Sequence, residues 1–389
     1  MAMGMSFSRR VGRIRISETK LMPMIAAEVG GCVSLGQGVP SFPTPEHVVD
    51  AVCRALREDG AAGKYSLQPG MPALREAVAE LLTREKGLRV DPRAEVAITV
   101  GAMEALLCAV LSLVEEGDEV LMPSPAYASH VEQVLLAGGV PVPVPAGPGW
   151  GLDVAALEAA VTPRTRAILF CNPCNPTGAV FGEAELRGLA GVAERHGLYV
   201  ITDETYDALV YDGPMPMSVA ALPELAGRCV LVNSFSKRFA LTGWRVGYAW
   251  ASAPIMDQML KVHDCTAICA PTVAQHAALA ALRGPQEVFA AMRTALAARR
   301  ELACARLDAL AGALSYVRPA GAFYIMARTL FTGEPSRQLA ERLIREARVI
   351  TIPGSTFGAA GEGHLRLSYG AGEAELEEAF DRISRWMLA

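Results

Sequence analysis

The stretch CVLVNSFSKRFALTGWRVGYAW, residues 229–250, decides the fold. Its first five residues form a short run rich in β-branched side chains, the signature of a buried strand. The run ends on Ser234, and Ser236 and Lys237 follow at once. After a Gly-containing turn, a second strand-like run covers 245–250. Working outward, the same alternation of short apolar runs and helical patterns begins near residue 94, as expected of a parallel sheet covered by helices on both faces. Strands are expected at 95–100, 119–122, 140–144, 166–171, 199–203, 229–234 and 245–250. Helical spacing marks 102–114, 183–196, 272–282 and an Ala-rich stretch from 286 to about 310, which reads as a connector. Beyond it come an extended region (314–326), a helix (336–348), two strands and a last helix (373–387). The expectation is an α/β protein with a mostly parallel seven-stranded sheet between helices in a large domain, 46–284. A smaller α+β domain, 285–389, packs with an N-terminal arm, 1–45.

Composition narrows the partners. The 389 residues are 51% hydrophobic and 20% charged, which describes a chain with heavy burial, and the net charge of −5 offers no basic field for nucleic acid. The longest apolar run, around 105–114, is shorter than a membrane span, so no membrane partner is expected. Arg9, Arg10, Arg13 and Arg15 read as a solvated arm rather than a transit peptide. Nine cysteines, odd in number and dispersed, argue against a secreted disulfide framework and for a reducing, cytoplasmic setting. Cys171 and Cys174 form a CxxC, but Pro173 and the Asn-Pro steps around it indicate a turn, and no further ligands suggest a metal.

In open parallel sheets ligands lie beyond the carboxyl ends of the strands. There the sequence places Gly101, then Asn172 and Asn175, then Asp203, then Ser234, Ser236 and Lys237. Gly101 opens a helix whose first backbone N–H groups, at Ala102 and Met103, suit a phosphate. Ser234, Ser236 and Arg245 suit the same dianion, Arg by its bidentate fork. Lys237 is left over. A lysine amine becomes chemically useful when desolvated or condensed to an imine, and pyridoxal phosphate forms such an imine. That cofactor needs a carboxylate at its ring nitrogen. Asp203 is the strand-end candidate, although alone it would read as a turn cap, and Tyr206 lies close enough in sequence to reach the ring's phenolic oxygen.

At these residues the chain resembles the class I pyridoxal-phosphate aminotransferases, the aspartate aminotransferase superfamily of fold type I. The resemblance runs from about Ser8 to the end and rests on NPCNPTG at 172–178, DETYDALVYDG at 203–213, SFSKRFALTGWRVGY at 234–248 and HLRLSYG at 364–370. It implies an imine on Lys237, Asp203 at the pyridinium nitrogen, and Asn175 with Tyr206 on the phenolic oxygen. Ser234, Ser236, Arg245 and the backbone after Gly101 would hold phosphate, and Tyr127 would stack on the ring. Tyr65 matches a residue that reaches the other subunit's phosphate, which implies a homodimer with shared active sites. Gly38 and Arg366 match the substrate-carboxylate site, and Asn175 counts among the substrate-binding residues as well. Met103 stands where many relatives have Ser, Thr or Lys. His130 stands where many have Tyr, by analogy near the substrate entrance.

The implied activity moves an amino group between an L-amino acid and a 2-oxo acid, of aspartate or broad-specificity type, with glutamate and 2-oxoglutarate as the default pair. A β-eliminating carbon–sulfur lyase uses the same imine and is the alternative. A transaminase-like regulatory module is disfavoured by the intact Lys237. A nicotinamide-binding domain lacks its GxGxxG after the first strand.

Overall fold

The computed structural model describes residues 7–388; the first six residues of the expected arm and the last residue of the chain lie outside the described residues. The large sheet contains seven strands: β1 (Val96–Thr99), β2 (Glu119–Ser124), β3 (Val140–Pro145), β4 (Thr165–Cys171), β5 (Tyr199–Asp203), β6 (Cys229–Ser234) and β7 (Gly247–Ala251). Their order across the sheet is β1-β7-β6-β5-β4-β2-β3. β7 pairs antiparallel with both its neighbours, and the remaining pairs are parallel.

The strands read as continuous apolar runs because both faces are covered. In β4, Ala167 and Leu169 enter one core with the helices Gly101–Leu113 and Ala253–Thr266, while Ile168 and Phe170 enter the opposite core with Pro72–Lys86 and Glu183–His196. Alternation along β6 does the same, Val230 and Val232 facing one way and Leu231 the other. Glu183–His196 ends on Gly197 in the left-handed conformation, as the sequence pattern leads one to expect.

A third core joins residues from both ends of the chain. Met22 and Ala26 of the helix Glu18–Val29 and Leu35 pack with Phe323, Ile325, Ile352 and Phe380. The two-residue strand Val33–Ser34 pairs in parallel with Val349–Ile350. A separate four-stranded antiparallel sheet contains Leu314–Tyr316, Tyr324–Thr329, Ile352–Pro353 and His364–Ser368. Two expectations need correction here. The helix expected over 336–348 is α-helical only over Ser336–Arg342 and then widens into a π-turn, Leu343–Ala347. The two strands expected after it are three, since residue 351 separates Val349–Ile350 from Ile352–Pro353, each pairing with a different partner.

A buried charge cluster supports the rim of the large sheet. Lys86 Nζ donates to Glu204 Oε2 at 2.7 Å and to Asp207 Oδ2 at 2.6 Å, and Asn233 Nδ2 donates to the same Asp207 oxygen. Burial works against the ammonium, but Asp207 and Glu204 outweigh it and hold the group well above its ordinary value. Lys86→Met strands two buried carboxylates and is expected to cost about 3–5 kcal/mol of stability. The urea midpoint of the cofactor-free protein should fall accordingly, and an unchanged midpoint refutes the account.

Candidate active site

Parallel strands bring Cys171, Asp203 and Ser234 to one rim, and the reversed β7 contributes its beginning rather than its end. Gly247 pairs with both Thr99 of β1 and Ser234 of β6, so Arg245, two residues earlier, reaches the same rim. A Cβ on Gly247 would lie 2.7 Å from Ala102 N and 2.8 Å from Asn233 O, so only glycine allows the Gly101 turn to close against β6. Gly101 itself has φ +71, and a Cβ there would meet Arg245 Nη2 at 2.8 Å. No side chain caps the helix Gly101–Leu113, which leaves first-turn N–H groups directed at the guanidinium's neighbourhood. Ser234 Oγ accepts from Ser236 N at 3.1 Å and starts the single turn that carries Lys237.

Ala102, Asp203, Ser234, Ser236, Lys237 and Arg245, but not Gly101 itself, line one cleft of about 610 Å³, together with Tyr127, Asn175 and Tyr206 on the large-sheet side and Gly38, Tyr324 and Arg366 on the other. Lys237 Nζ donates to Gly38 O at 2.5 Å. Burial, then the nearby charges of Arg245 and Arg366, lower its ammonium to about 8, with Asp203 opposing. Arg366 is fully inside: Nη1 donates to Asn175 Oδ1 at 3.1 Å, Nη2 to Gly36 O at 2.5 Å, and Nε is a buried donor with no partner among the described residues. Its guanidinium lies over the Tyr324 ring at 4.5 Å.

Asp203 accepts from Thr205 N at 3.1 Å and Thr205 Oγ1 at 2.6 Å, and its other oxygen lies 3.1 Å from His130 Nε2. His130 therefore corrects the sequence expectation. It is 1% exposed, edge-on to the Tyr127 ring at 5.3 Å, and faces the carboxylate rather than an entrance. One helical step decides this, because Tyr127 precedes the helix Ala128–Ala137 and His130 ends its first turn on the inward face.

Tyr65 is not among the cleft residues. It is 78% exposed on a loop tied down by Thr272 Oγ1 to Lys64 O (2.5 Å) and Gln275 Nε2 to Ser66 Oγ (2.8 Å). Cys171 and Cys174 are buried thiols raised by that burial, consistent with the turn reading. A second buried polar chain lies behind the Gly101 helix: Glu104 accepts from Val100 N at 2.5 Å and contacts His263 Nδ1 at 2.6 Å, and His263 Nε2 reaches Gln68 O at 3.0 Å.

Sequence reasoning missed Tyr324. Its hydroxyl is 2.8 Å from that of Tyr206, and a Cβ on Gly38 would fall 2.2 Å from it. Burial pushes this phenol up to about 12. It belongs to the GAFY segment at 321–324, and no local signal in that segment marks its hydroxyl as part of the site.

A deep cleft with a desolvated lysine, a partnered carboxylate and a buried arginine fork is an arrangement that recurs in known proteins. Residues 31–383 match the family described as "Aminotransferase class I and II". The chain is 39% identical over 385 residues to aromatic-amino-acid aminotransferase 2 of Thermococcus litoralis and 40% identical over the same length to an aspartate aminotransferase of Pyrococcus abyssi, with 98% of each chain covered. A solved aspartate aminotransferase of Thermus thermophilus with maleate superposes with a TM-score of 0.92 at 39% identity, covering 98% of this chain and all of that one. The family match includes Asp203, Lys237 and Arg366, and the relatives align over nearly the whole chain: this chain belongs to the class I and II aminotransferases and is a transaminase.

Proposed function

We propose that the cleft holds pyridoxal phosphate and exchanges amino groups between L-amino acids and 2-oxo acids, with the aspartate and glutamate type as the principal substrates. The observation that carries this reading is Lys237, a buried amine lowered to about 8 between two guanidinium groups. The residues fit the group. First-turn N–H groups at Ala102 and Met103, Ser234, Ser236 and Arg245 form an anion-binding corner, and Asp203, fixed by His130 and Thr205, is the carboxylate for the ring nitrogen. Bound there, the cofactor supplies a protonated ring that stabilises negative charge at the substrate Cα.

The protein's own groups do the rest. Lys237 would supply the amine that anchors the cofactor, and its Nζ is the group that would act as base toward the substrate Cα proton. Asn175 gives its Oδ1 to Arg366, so Nδ2 is the donor left for the phenolic oxygen, beside the Tyr206 hydroxyl. Arg366 clamps the α-carboxylate with the partnerless Nε side of its fork, near the Gly38 backbone, and so fixes the direction in which the Cα–H bond points. Tyr127 meets His130 edge-on and would stack on the cofactor ring. Residues 46–284 form the cofactor-holding unit, and the arm with 285–389 forms the unit that covers it.

Tyr65, exposed on an anchored loop, completes the phosphate site of a second copy, which makes the working enzyme a homodimer. Nine unpaired thiols suit a reducing cytoplasm. Among the described residues no helix is long and apolar enough to cross a membrane.

The test is a panel of amino donors in single half-reactions, followed by the absorbance of the bound cofactor. At least one donor should convert the aldehyde form to the amine form with release of one 2-oxo acid, reversed by adding an oxo acid. Ammonia release without that conversion would establish the eliminating lyase instead.

A further inference from the structure

The cleft is unevenly supplied with charge. Its lining contains four cationic side chains, Lys20, Lys237, Arg245 and Arg366, and a single carboxylate, Asp203, which is already bonded to His130 and Thr205. Three of the cations have work there. Lys237 is held on the Gly38 carbonyl, Arg366 on Asn175 and Gly36, and Arg245 closes on the Gly101 turn. Lys20 has no carboxylate within ion-pair distance among the described residues. The acid nearest to it in sequence, Glu18, is taken by Arg337 at 3.0 Å.

Its position is a firm one for a flexible group. Lys20 lies in the first turn of the helix Glu18–Val29, whose N-terminus is capped by Ser17 Oγ accepting from Thr19 N. Met22 and Ala26 fix that helix in the core shared with the small sheet. The backbone is anchored while the four-carbon stem and its ammonium are exposed and free to turn. The same cleft is lined by Met103 and Leu106, which contribute no side-chain hydrogen-bond donor, and the neighbouring Thr19 hydroxyl is engaged with Ser17 at 2.8 Å. A substrate whose far end is a second carboxylate finds Lys20 as the one uncommitted cation, reinforced by the positive end of its helix.

We propose that Lys20 is the specificity-determining residue that recognises the distal carboxylate of dicarboxylic amino acids and oxo acids. This rests on the transaminase reading and on Arg366 holding the α-carboxylate. With Arg366 on the α-carboxylate, the distal carboxylate that dicarboxylic amino acids and oxo acids share is matched by the Lys20 ammonium.

The experiment compares holoenzyme with Lys20→Met and Lys20→Arg in single half-reactions with aspartate, glutamate and the neutral donor norvaline. Calorimetric binding of succinate and of butanoate gives a readout independent of turnover. Lys20→Met is expected to lower kcat/KM for aspartate and glutamate about five- to thirtyfold, largely through KM, and to weaken succinate similarly, because the pair is only partly shielded from water. Norvaline and butanoate should change far less, and Lys20→Arg should recover most of the loss. An equal fall across all donors, or no fall for the dicarboxylic ones, overturns the proposal. Wild-type enzyme that accepts only neutral donors overturns it while leaving transamination standing, and wild-type enzyme that converts no donor overturns both.

Discussion

Transamination by Lys237→Ala is expected to fall by about 10⁴-fold or more, because in the proposed mechanism one side chain would both anchor the cofactor and move the Cα proton. No neighbouring group in the cleft can replace it. Arg245 and Arg366 are guanidinium groups that stay protonated, and Lys20 is exposed on a different helix. The lysine's lowered value has a second measurable consequence. With the ammonium brought down to about 8, the rate at which wild-type apoenzyme condenses with the cofactor's aldehyde should rise with pH and level off above that value. An unperturbed amine would continue rising toward pH 10 to 11. Borohydride reduction followed by peptide mass mapping should place the label on residue 237 in wild type and yield no labelled peptide in the variant. A labelled peptide elsewhere, or activity within tenfold of wild type, removes the basis of the mechanism.

Asp203→Asn should lower kcat by about 10²–10³-fold while changing KM little. The substitution keeps the shape of the side chain and removes the charge that, on the proposed reading, would stabilise a protonated ring nitrogen. Its surroundings make the loss hard to repair. Thr205 donates twice to one oxygen of Asp203, His130 faces the other, and all three side chains are buried, so water does not replace the missing carboxylate. The cofactor should still bind, since the phosphate corner is untouched, and the defect should appear as a slow half-reaction rather than as an empty enzyme. A kcat within a few fold of wild type would show that Asp203 is a structural cap after all.

The centre of the large sheet was legible because strands such as 199–203 and 229–234 are buried on both faces and are written as apolar runs ending on Asp203 and Ser234. That made 199–203 and 229–234 readable to the residue. Local sequence carries less about direction. Nothing in 245–250 distinguishes a parallel from an antiparallel strand, yet the reversal of β7 is what delivers Arg245 to the rim. Contacts between distant segments were illegible for the same reason. Tyr206 and Tyr324 meet across 118 positions, and His130 and Asp203 across 73. Each pair depends on helix phase and domain docking, which no single stretch encodes. Lys20 carried no signal in the sequence, and only the folded chain brings it to the same cleft as Met103.

The pairing of Val33–Ser34 with Val349–Ile350 also governs how the enzyme is made. On a ribosome the arm emerges first but its partner strand emerges more than three hundred residues later, a delay of roughly 15 to 60 seconds at ordinary elongation rates. Until then Gly36 and Gly38 have nothing to dock on. A nascent chain stalled before residue 349 would hold Lys237 with the Gly38 carbonyl made but not yet held in place by this pairing.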